Sequence, residues 1–355
     1  MDKTVNKCYY IDMEGLNSFR FQLIFWTAAR RVQAGKGDVI MAAKITVVGA
    51  GSVGAAITND IMVQGFASEI VLIDINKEKA FGEALDVYQG VPFCSPAIVR
   101  SGDYADAEES DIVIITSGVP RKPGQSRLEL AQTNVDIIKE ITPELTKHAP
   151  NAIYIIVSNP VDILTYVFTK ISGLPENHIL GSGTVLDTSR LQSELARRFR
   201  ISPKNVHAHV YGEHGDSSFI PWSLAMIANN HINEYKLRVA HGNEIQWGPS
   251  YEEVENFVKT SGAQVIKAKG ATCYAVAIAV CHICKCILSG VGTALTVSTM
   301  MHGEYNVEDV CLSALCLVGE NGVHEKIVTP LTWEETKKMQ ASAAKLKETI
   351  SGLKI

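Results

Sequence analysis

Three residues in the second half of the chain have the types and spacing for proton and anion chemistry: Asp187, Arg190 and His214. His214 stands in Gly212-Glu213-His214-Gly215-Asp216, where glycines on both sides leave its imidazole accessible. Asp187 and Arg190 lie three positions apart near the start of a helix-like run that opens at Thr184, so their side chains share a face. A histidine titrates near neutrality and serves as base or acid. A buried carboxylate on its second ring nitrogen would fix the tautomer and stabilise the imidazolium. One arginine can grip a substrate carboxylate with two prongs, and another can polarise a carbonyl. Hydride transfer at the alcohol carbon of a 2-hydroxy acid needs this set, with a base for the hydroxyl proton in one direction and an acid for the alkoxide in the other.

A hydride acceptor is implied by the first half. Lys44-Ile-Thr-Val-Val-Gly49 is a β-branched run suited to a buried parallel strand. It leads into Gly49-Ala-Gly51-Ser52-Val53-Gly54 and then a helix-like segment over 55–64. Gly49 allows the tight turn, Gly51 lets backbone approach a pyrophosphate, and Gly54 lets the helix pack close on the strand. The helix N-terminus, with Ser52 and Val53, offers amides to the phosphates. A second strand, Glu69-Ile-Val-Leu-Ile-Asp74, ends in a carboxylate twenty residues past Gly54. That carboxylate suits the ribose hydroxyls of NAD and repels the 2′-phosphate of NADP.

Further strands are expected at 111–116 and 152–157, with an amphipathic helix near 129–147 between them. The alternation predicts an α/β fold: a doubly wound parallel sheet of the Rossmann type, followed by an α+β catalytic domain. Two loops leave the binding edge of this sheet. Ser117–Glu129 carries Gly118, a candidate cofactor contact, with Pro120, Arg121, Lys122, Pro123, Gly124 and Arg127, and reads as a basic lid closing on an anion. The second loop is Ser158-Asn159-Pro160-Val161-Asp162. After the break at Gly181-Ser-Gly183 and the helix that follows it, Val206–Tyr211 alternates like a strand leading to His214. The expected division is an extension over 1–40, an NAD-binding domain over 41–183 and a catalytic domain over 184–355.

A chain of 355 residues with 46% apolar and 20% charged residues buries a large core and is not disordered. No apolar run reaches the roughly 18 residues of a membrane helix, so no membrane partner is expected. A net charge of −5 without a basic block removes the electrostatic basis for nucleic-acid binding. Eight cysteines are too few for a disulfide scaffold and point to the cytoplasm. Cys281-His282-Ile283-Cys284-Lys285-Cys286 could suggest a metal clip, but it lies in a helix-like apolar stretch. Residues 281 and 284 would share a face there while 286 points elsewhere, and no second ligand pair follows, so no metal is expected.

The first forty residues differ from the rest. Phe21–Ala29 is an apolar run of signal-peptide length, but Asp12 and Glu14 precede it and Arg30-Arg31 follow. An arm used in subunit assembly is a second reading. The third is that the natural start is Met41, directly before the first strand, with residues 1–40 an upstream translation.

On these motifs the chain resembles the L-lactate/malate dehydrogenase family, most closely its bacterial L-lactate branch, over essentially all of 43–351. The matching stretches are Gly-Ala-Gly-Ser-Val-Gly at 49–54, Lys-Pro-Gly-Gln-Ser-Arg at 122–127 and Ser-Asn-Pro-Val-Asp at 158–162. Gly-Ser-Gly-Thr-Val-Leu-Asp-Thr-Ser-Arg at 181–190 and Gly-Glu-His-Gly-Asp-Ser-Ser at 212–218 complete them. The resemblance implies His214 as acid/base, Asp187 as its partner, Arg190 as the carboxylate clamp and Arg127 as the lid arginine polarising the carbonyl. It implies Asn159 as a contact to substrate and nicotinamide, and Thr272 as the pocket threonine. The family is usually tetrameric, so a homotetramer is the expected assembly.

Two positions depart from the lactate pattern. Arg121 falls where the lid faces the substrate's variable end, where lactate enzymes commonly carry glutamine and malate enzymes arginine. An arginine closing over a methyl group is desolvated without a partner, which favours oxaloacetate. Thr272 and the stretches around Asp187 and His214 favour pyruvate and (S)-lactate, the expected substrates, with malate the alternative. In the bisphosphate site of many bacterial members, the histidine position matches His207 but the arginine position is Gln192, so little activation is expected. A non-catalytic NAD-binding protein on this fold would have lost part of the Asp187, Arg190, His214 and Arg127 set, and all four are present.

Overall fold

The computed structural model describes residues 43–120, 126–238 and 250–355, without the side chains of Arg127 and residues 236–238. The N-terminal forty residues, with every reading offered for them, lie outside the described residues, as does Arg121. The described part forms one compact unit.

Six strands of the first half are β1 (Lys44–Val48), β2 (Glu69–Ile73), β3 (Ile98–Ser101), β4 (Ile112–Ile115), β5 (Ile153–Ile156) and β6 (Ile179–Gly181). A small sheet in the second half contains β7 (Val206–His207), β8 (Met226–Ile227) and β9 (Asn230–His231). Three strands follow: β10 (Thr293–His302), β11 (Glu308–Gly319) and β12 (Gly322–Lys326). Among the described residues the main sheet runs β12-β11-β10-β6-β5-β4-β1-β2-β3. Its first-half pairings are parallel. β10 joins β6 antiparallel at Ser298 opposite Gly181, so the second half extends the sheet of the first. Strand order reverses at β1, which lies between β2 and β4. The crevice outside the carboxyl ends at such a reversal is where ligands bind in open α/β sheets.

Each parallel strand alternates between two cores, because successive side chains point to opposite faces. Ile45, Val47, Ile70, Leu72, Ile112, Ile114, Ile153 and Ile155 pack on one face. That face is covered by α1 (Ser52–Gln64). Val48, Val71, Ile73, Val113, Ile115, Tyr154 and Ile156 pack on the other. After α2 (Lys77–Gln89), the helices covering that second face begin with α3 (Arg127–His148) and α4 (Val161–Ser172). Burial on both faces is why these strands read as unbroken β-branched runs. The second half adds α5 (Val185–Phe199), α6 (Ile232–Arg238), α7 (Tyr251–Lys269), α8 (Tyr274–Leu288) and α9 (Trp333–Ser351). α8 covers the first face beside α1, and α9 joins the second. α5 and α7 share a third core with the small sheet.

Two elements differ from the expected ones. Helix α3 starts at Arg127, inside the segment read as a lid. Ser126 and Glu129 form a capping box, with the Glu129 amide donating to Ser126 Oγ at 3.1 Å and the Ser126 amide to Glu129 Oε2 at 2.8 Å. The strand expected over 206–211 is a strand only at Val206–His207. Helix α5 takes over its backbone: the Val210 amide donates to Thr188 Oγ1 at 2.9 Å, and the Val210 carbonyl accepts from Thr184 Oγ1. Cys281, Cys284 and Cys286 lie on α8 as expected, and all three are buried, since a helix wedged against the sheet is apolar on more than one face.

Candidate active site

The nucleotide end is built where β1 meets α1. A Cβ at Gly54 would fall 1.8 Å from the Gly49 carbonyl oxygen, so helix and strand touch there at a distance only glycine permits. Gly49 has φ +112° and closes the turn, its amide donating to the Ile73 carbonyl at 2.7 Å. At Gly51 a Cβ would meet nothing within 4 Å. Gly51 is the N-cap of α1 and supplies no side-chain acceptor, and α1 has no acidic residue in its first turn. The first-turn amides, those of Ser52 and Val53 with them, therefore face a gap of the right polarity for a diphosphate. Asp74 follows β2 beside this turn. Its Oδ2 accepts from the Ala50 amide at 2.6 Å and its Oδ1 from the Asn76 amide at 2.8 Å, which leaves lone pairs for a ribose diol. These residues fit a dinucleotide.

Gly118 and Asn159 leave the ends of β4 and β5, and Asn134 on α3 joins their loops. Its Oδ1 accepts from the Val119 amide at 2.9 Å, and its Nδ2 donates to the Asn159 carbonyl at 2.7 Å. The Asn159 side chain remains exposed at this edge. Asn134 did not stand out in the sequence, since a mid-helix asparagine carries no motif.

The acid/base group joins α5 to the His214 segment. Asp187, in the first turn of α5, places Oδ2 at 2.5 Å from His214 Nδ1 and accepts from Arg190 Nη1 at 2.8 Å through Oδ1. Burial opposes a charge on Asp187, but His214 and then Arg190 hold its carboxyl below the usual range. The same Asp187 charge, working against burial, pushes the His214 imidazole up to about 9. Because the carboxylate accepts at Nδ1, Nε2 is the nitrogen free to exchange a proton with a ligand. The His214 segment is fixed by its backbone. Gly212, at φ +91°, exchanges two hydrogen bonds with Ser313 on β11, and the Glu213 amide donates to Ser342 Oγ on α9 at 2.8 Å. The His214 amide donates at 2.7 Å to Asp162, at the start of α4 just past β5, which holds the histidine at the carboxyl edge of the sheet.

The structure thus brings together Asp187, Arg190 and His214, and separately Gly49, Gly51, Ser52, Val53, Gly54 and Asp74, with Gly118 and Asn159 tied to each other through Asn134. Thr272 sits half-buried in the turn between α7 and α8. Among the described residues no hydrogen bond or ion pair ties it to the His214 set. The Arg127 side chain lies outside the described residues. Residues that sequence reasoning missed are Asp162, which lay unassigned within the 158–162 stretch, Ser298, and Gly262 on α7, which faces Arg190. Gln192 donates to the Ala208 carbonyl at 3.2 Å, and His207 is exposed nearby. Among the described residues no cluster of His, Cys, Asp or Glu is arranged to hold a metal.

A dinucleotide cradle at the reversal of a doubly wound sheet, together with a histidine polarised by a buried carboxylate, defines a nicotinamide-dependent dehydrogenase. The family model described as lactate/malate dehydrogenase, NAD binding domain, matches residues 43–181, and its alpha/beta C-terminal companion matches 184–354. L-lactate dehydrogenase 1 of Clostridium acetobutylicum is 47% identical over 310 residues, covering 87% of this chain and 98% of that one. An L-lactate dehydrogenase of Clostridium botulinum is 45% identical, covering 87% and 96%. Among solved structures, the minor L-lactate dehydrogenase of Enterococcus mundtii superposes with a TM-score of 0.83 at 36% identity, covering 88% and 99%. The chain belongs to the lactate/malate dehydrogenase family.

Proposed function

We propose that the chain is an L-lactate dehydrogenase, interconverting pyruvate and (S)-lactate with NAD. The observation that carries this is the division of Asp187 between His214 and Arg190, which sets a proton donor beside an anion clamp. NAD, when bound along Gly49, Gly51, Ser52, Val53, Gly54, Asp74, Gly118 and Asn159, supplies or accepts the hydride. Arg190 grips the substrate carboxylate, and Asn159 and Thr272 line its site. Arg127 polarises the carbonyl. His214 Nε2 delivers a proton to the developing alkoxide during reduction and takes it back from the hydroxyl during oxidation. Asp187 keeps Nδ1 protonated throughout, so the ring acts through Nε2 alone.

The lactate reading is favoured over malate by the names and identity of the relatives above, against the single charge of Arg121. A homotetramer in the cytoplasm goes with it; among the described residues no helix is long and apolar enough to cross a membrane. Oxidation of NADH by pyruvate, followed by loss of absorbance, tests the reading. Turnover abolished by His214→Gln is expected, and no pyruvate-dependent oxidation by the unaltered chain would overturn it.

A further inference from the structure

A second buried carboxylate stands beside His214, and the proton chemistry above makes no use of it. Asp162 is 2% exposed on α4. Its Oδ2 accepts from the His214 amide at 2.7 Å and its Oδ1 from Ser298 Oγ on β10 at 2.6 Å. The groups around it are few. From α5 come Asp187 and Arg190, both already engaged with each other or the His214 ring. Glu213 lies in the His214 segment, with Lys345 of α9 at 3.6 Å. Cys311 on β11 is buried near Asp162. Among the described residues no lysine or arginine pairs with Asp162.

A neutral carbonyl or amide would satisfy the His214 amide and the Ser298 hydroxyl equally well. A fully buried carboxylate with no cationic partner is costly and needs another reason. The partner that compensates it is the imidazolium of His214. Burial pushes the Asp162 carboxyl up to about 6, with the Ser298 and His214 hydrogen bonds opposing, so it carries its charge at neutral pH.

We infer that Asp162 is a positioning residue for the acid/base step: it fixes the His214 backbone to the start of α4 and holds a negative charge beside the ring that favours the imidazolium. Asp162 follows Asn159 by three residues, so the same contact keeps the histidine in register with the loop proposed to meet the nicotinamide. Two carboxylates then set the basicity of His214, Asp187 through the ring and Asp162 through space. The inference rests on His214 being the acid/base group of the proposed function.

Asp162→Asn keeps an oxygen for the His214 amide, turns the Ser298 hydroxyl from donor to acceptor and removes the charge. Its test is an NMR titration of the His214 imidazole in nucleotide-free protein, beside the pH profile of pyruvate kcat/KM. The imidazole pKa and the high-pH limb of the profile are both expected to fall by about one unit. A residue that only supports the fold would lower kcat or stability and leave the titration in place, and an unmoved titration overturns the inference. If thermal melting shows that D162N does not fold, Asp162→Ser, which keeps a hydroxyl oxygen for the His214 amide and carries no charge, is titrated instead. It is expected to give a fall of similar size; no change overturns the inference. Absence of pyruvate turnover in the unaltered chain would instead sink the proposed function, and the imidazole titration would still decide the role of Asp162.

Discussion

Gly262 on α7 lies against the guanidinium of Arg190: a Cβ at Gly262 would stand 3.3 Å from Nη2 and 3.7 Å from Nη1. The clamp arginine is thus backed by bare helix on one side and by Asp187 on the other. A mid-helix glycine costs about 1 kcal/mol relative to alanine, so this position gives up stability for room around the guanidinium. Gly262→Ala should raise the melting temperature slightly while raising the pyruvate KM several-fold, because the added methyl displaces the guanidinium by a few tenths of an ångström. Thermal melts and steady-state kinetics on one preparation check both signs. A lower KM would show that the contact does not constrain Arg190.

Asp187→Asn removes the charge that raises the His214 imidazole and presents an amide that can donate to Nδ1. The ring then protonates less readily, which leaves less imidazolium for reduction, and its neutral form favours the tautomer with Nε2 protonated, which cannot take the hydroxyl proton in oxidation. Positioned acid/base catalysis is worth roughly 10²- to 10⁴-fold, and kcat for pyruvate reduction should fall within that range. Arg190 loses its carboxylate partner in the same variant, so KM should rise too. An unchanged kcat would remove Asp187 from the mechanism.

The pH dependence follows from the same pair. Reduction needs the imidazolium, so kcat/KM for pyruvate should be level through neutrality and decline as pH rises through about 9. Lactate oxidation should rise through the same range. Stability has a matching sign: the folded pKa lies above the unfolded value near 6.5, so the contribution is full below about 6.5 and is lost as pH climbs to about 9. Melting temperature should fall between those limits, and the fall should shrink in His214→Gln.

The glycines of the nucleotide turn should separate fold from binding. Gly54→Ala collides with the Gly49 carbonyl oxygen and should leave no cooperative unfolding transition. Gly51→Ala meets open space at an ordinary backbone conformation, φ −72°. It should melt like the unaltered chain and bind NADH at least tenfold more weakly, by fluorescence titration. Equal NADH affinity in G51A would move the pyrophosphate away from this turn.

Much of the fold and site was legible because the informative residues are neighbours in sequence. β1, β2, β4 and β5 announce themselves as β-branched runs since both their faces are buried, and His214 stands out between glycines. Asp187 and Arg190 are one helical turn apart. The contacts that were not legible join distant positions: Ser298 and Asp162 are 136 residues apart, and nothing local marks either for the other. Gly262 looks like a weak point in a helix until Arg190 is seen against it. The strand expected at 206–211 failed for a related reason. Its alternation is real, but Thr184, the N-cap of α5, and Thr188 within it satisfy the Val210 backbone in place of a neighbouring strand. β10 and β11, which widen the sheet beyond its parallel half, offered no glycine motif or catalytic residue to draw notice.

Substrate choice is tested most directly by NADH oxidation with pyruvate and oxaloacetate side by side under identical conditions. kcat/KM is predicted to be roughly tenfold or more higher with pyruvate. A higher value with oxaloacetate would contradict the account and assign the lid arginine, Arg121, to a second carboxylate; Arg121→Gln should then move the preference back toward pyruvate.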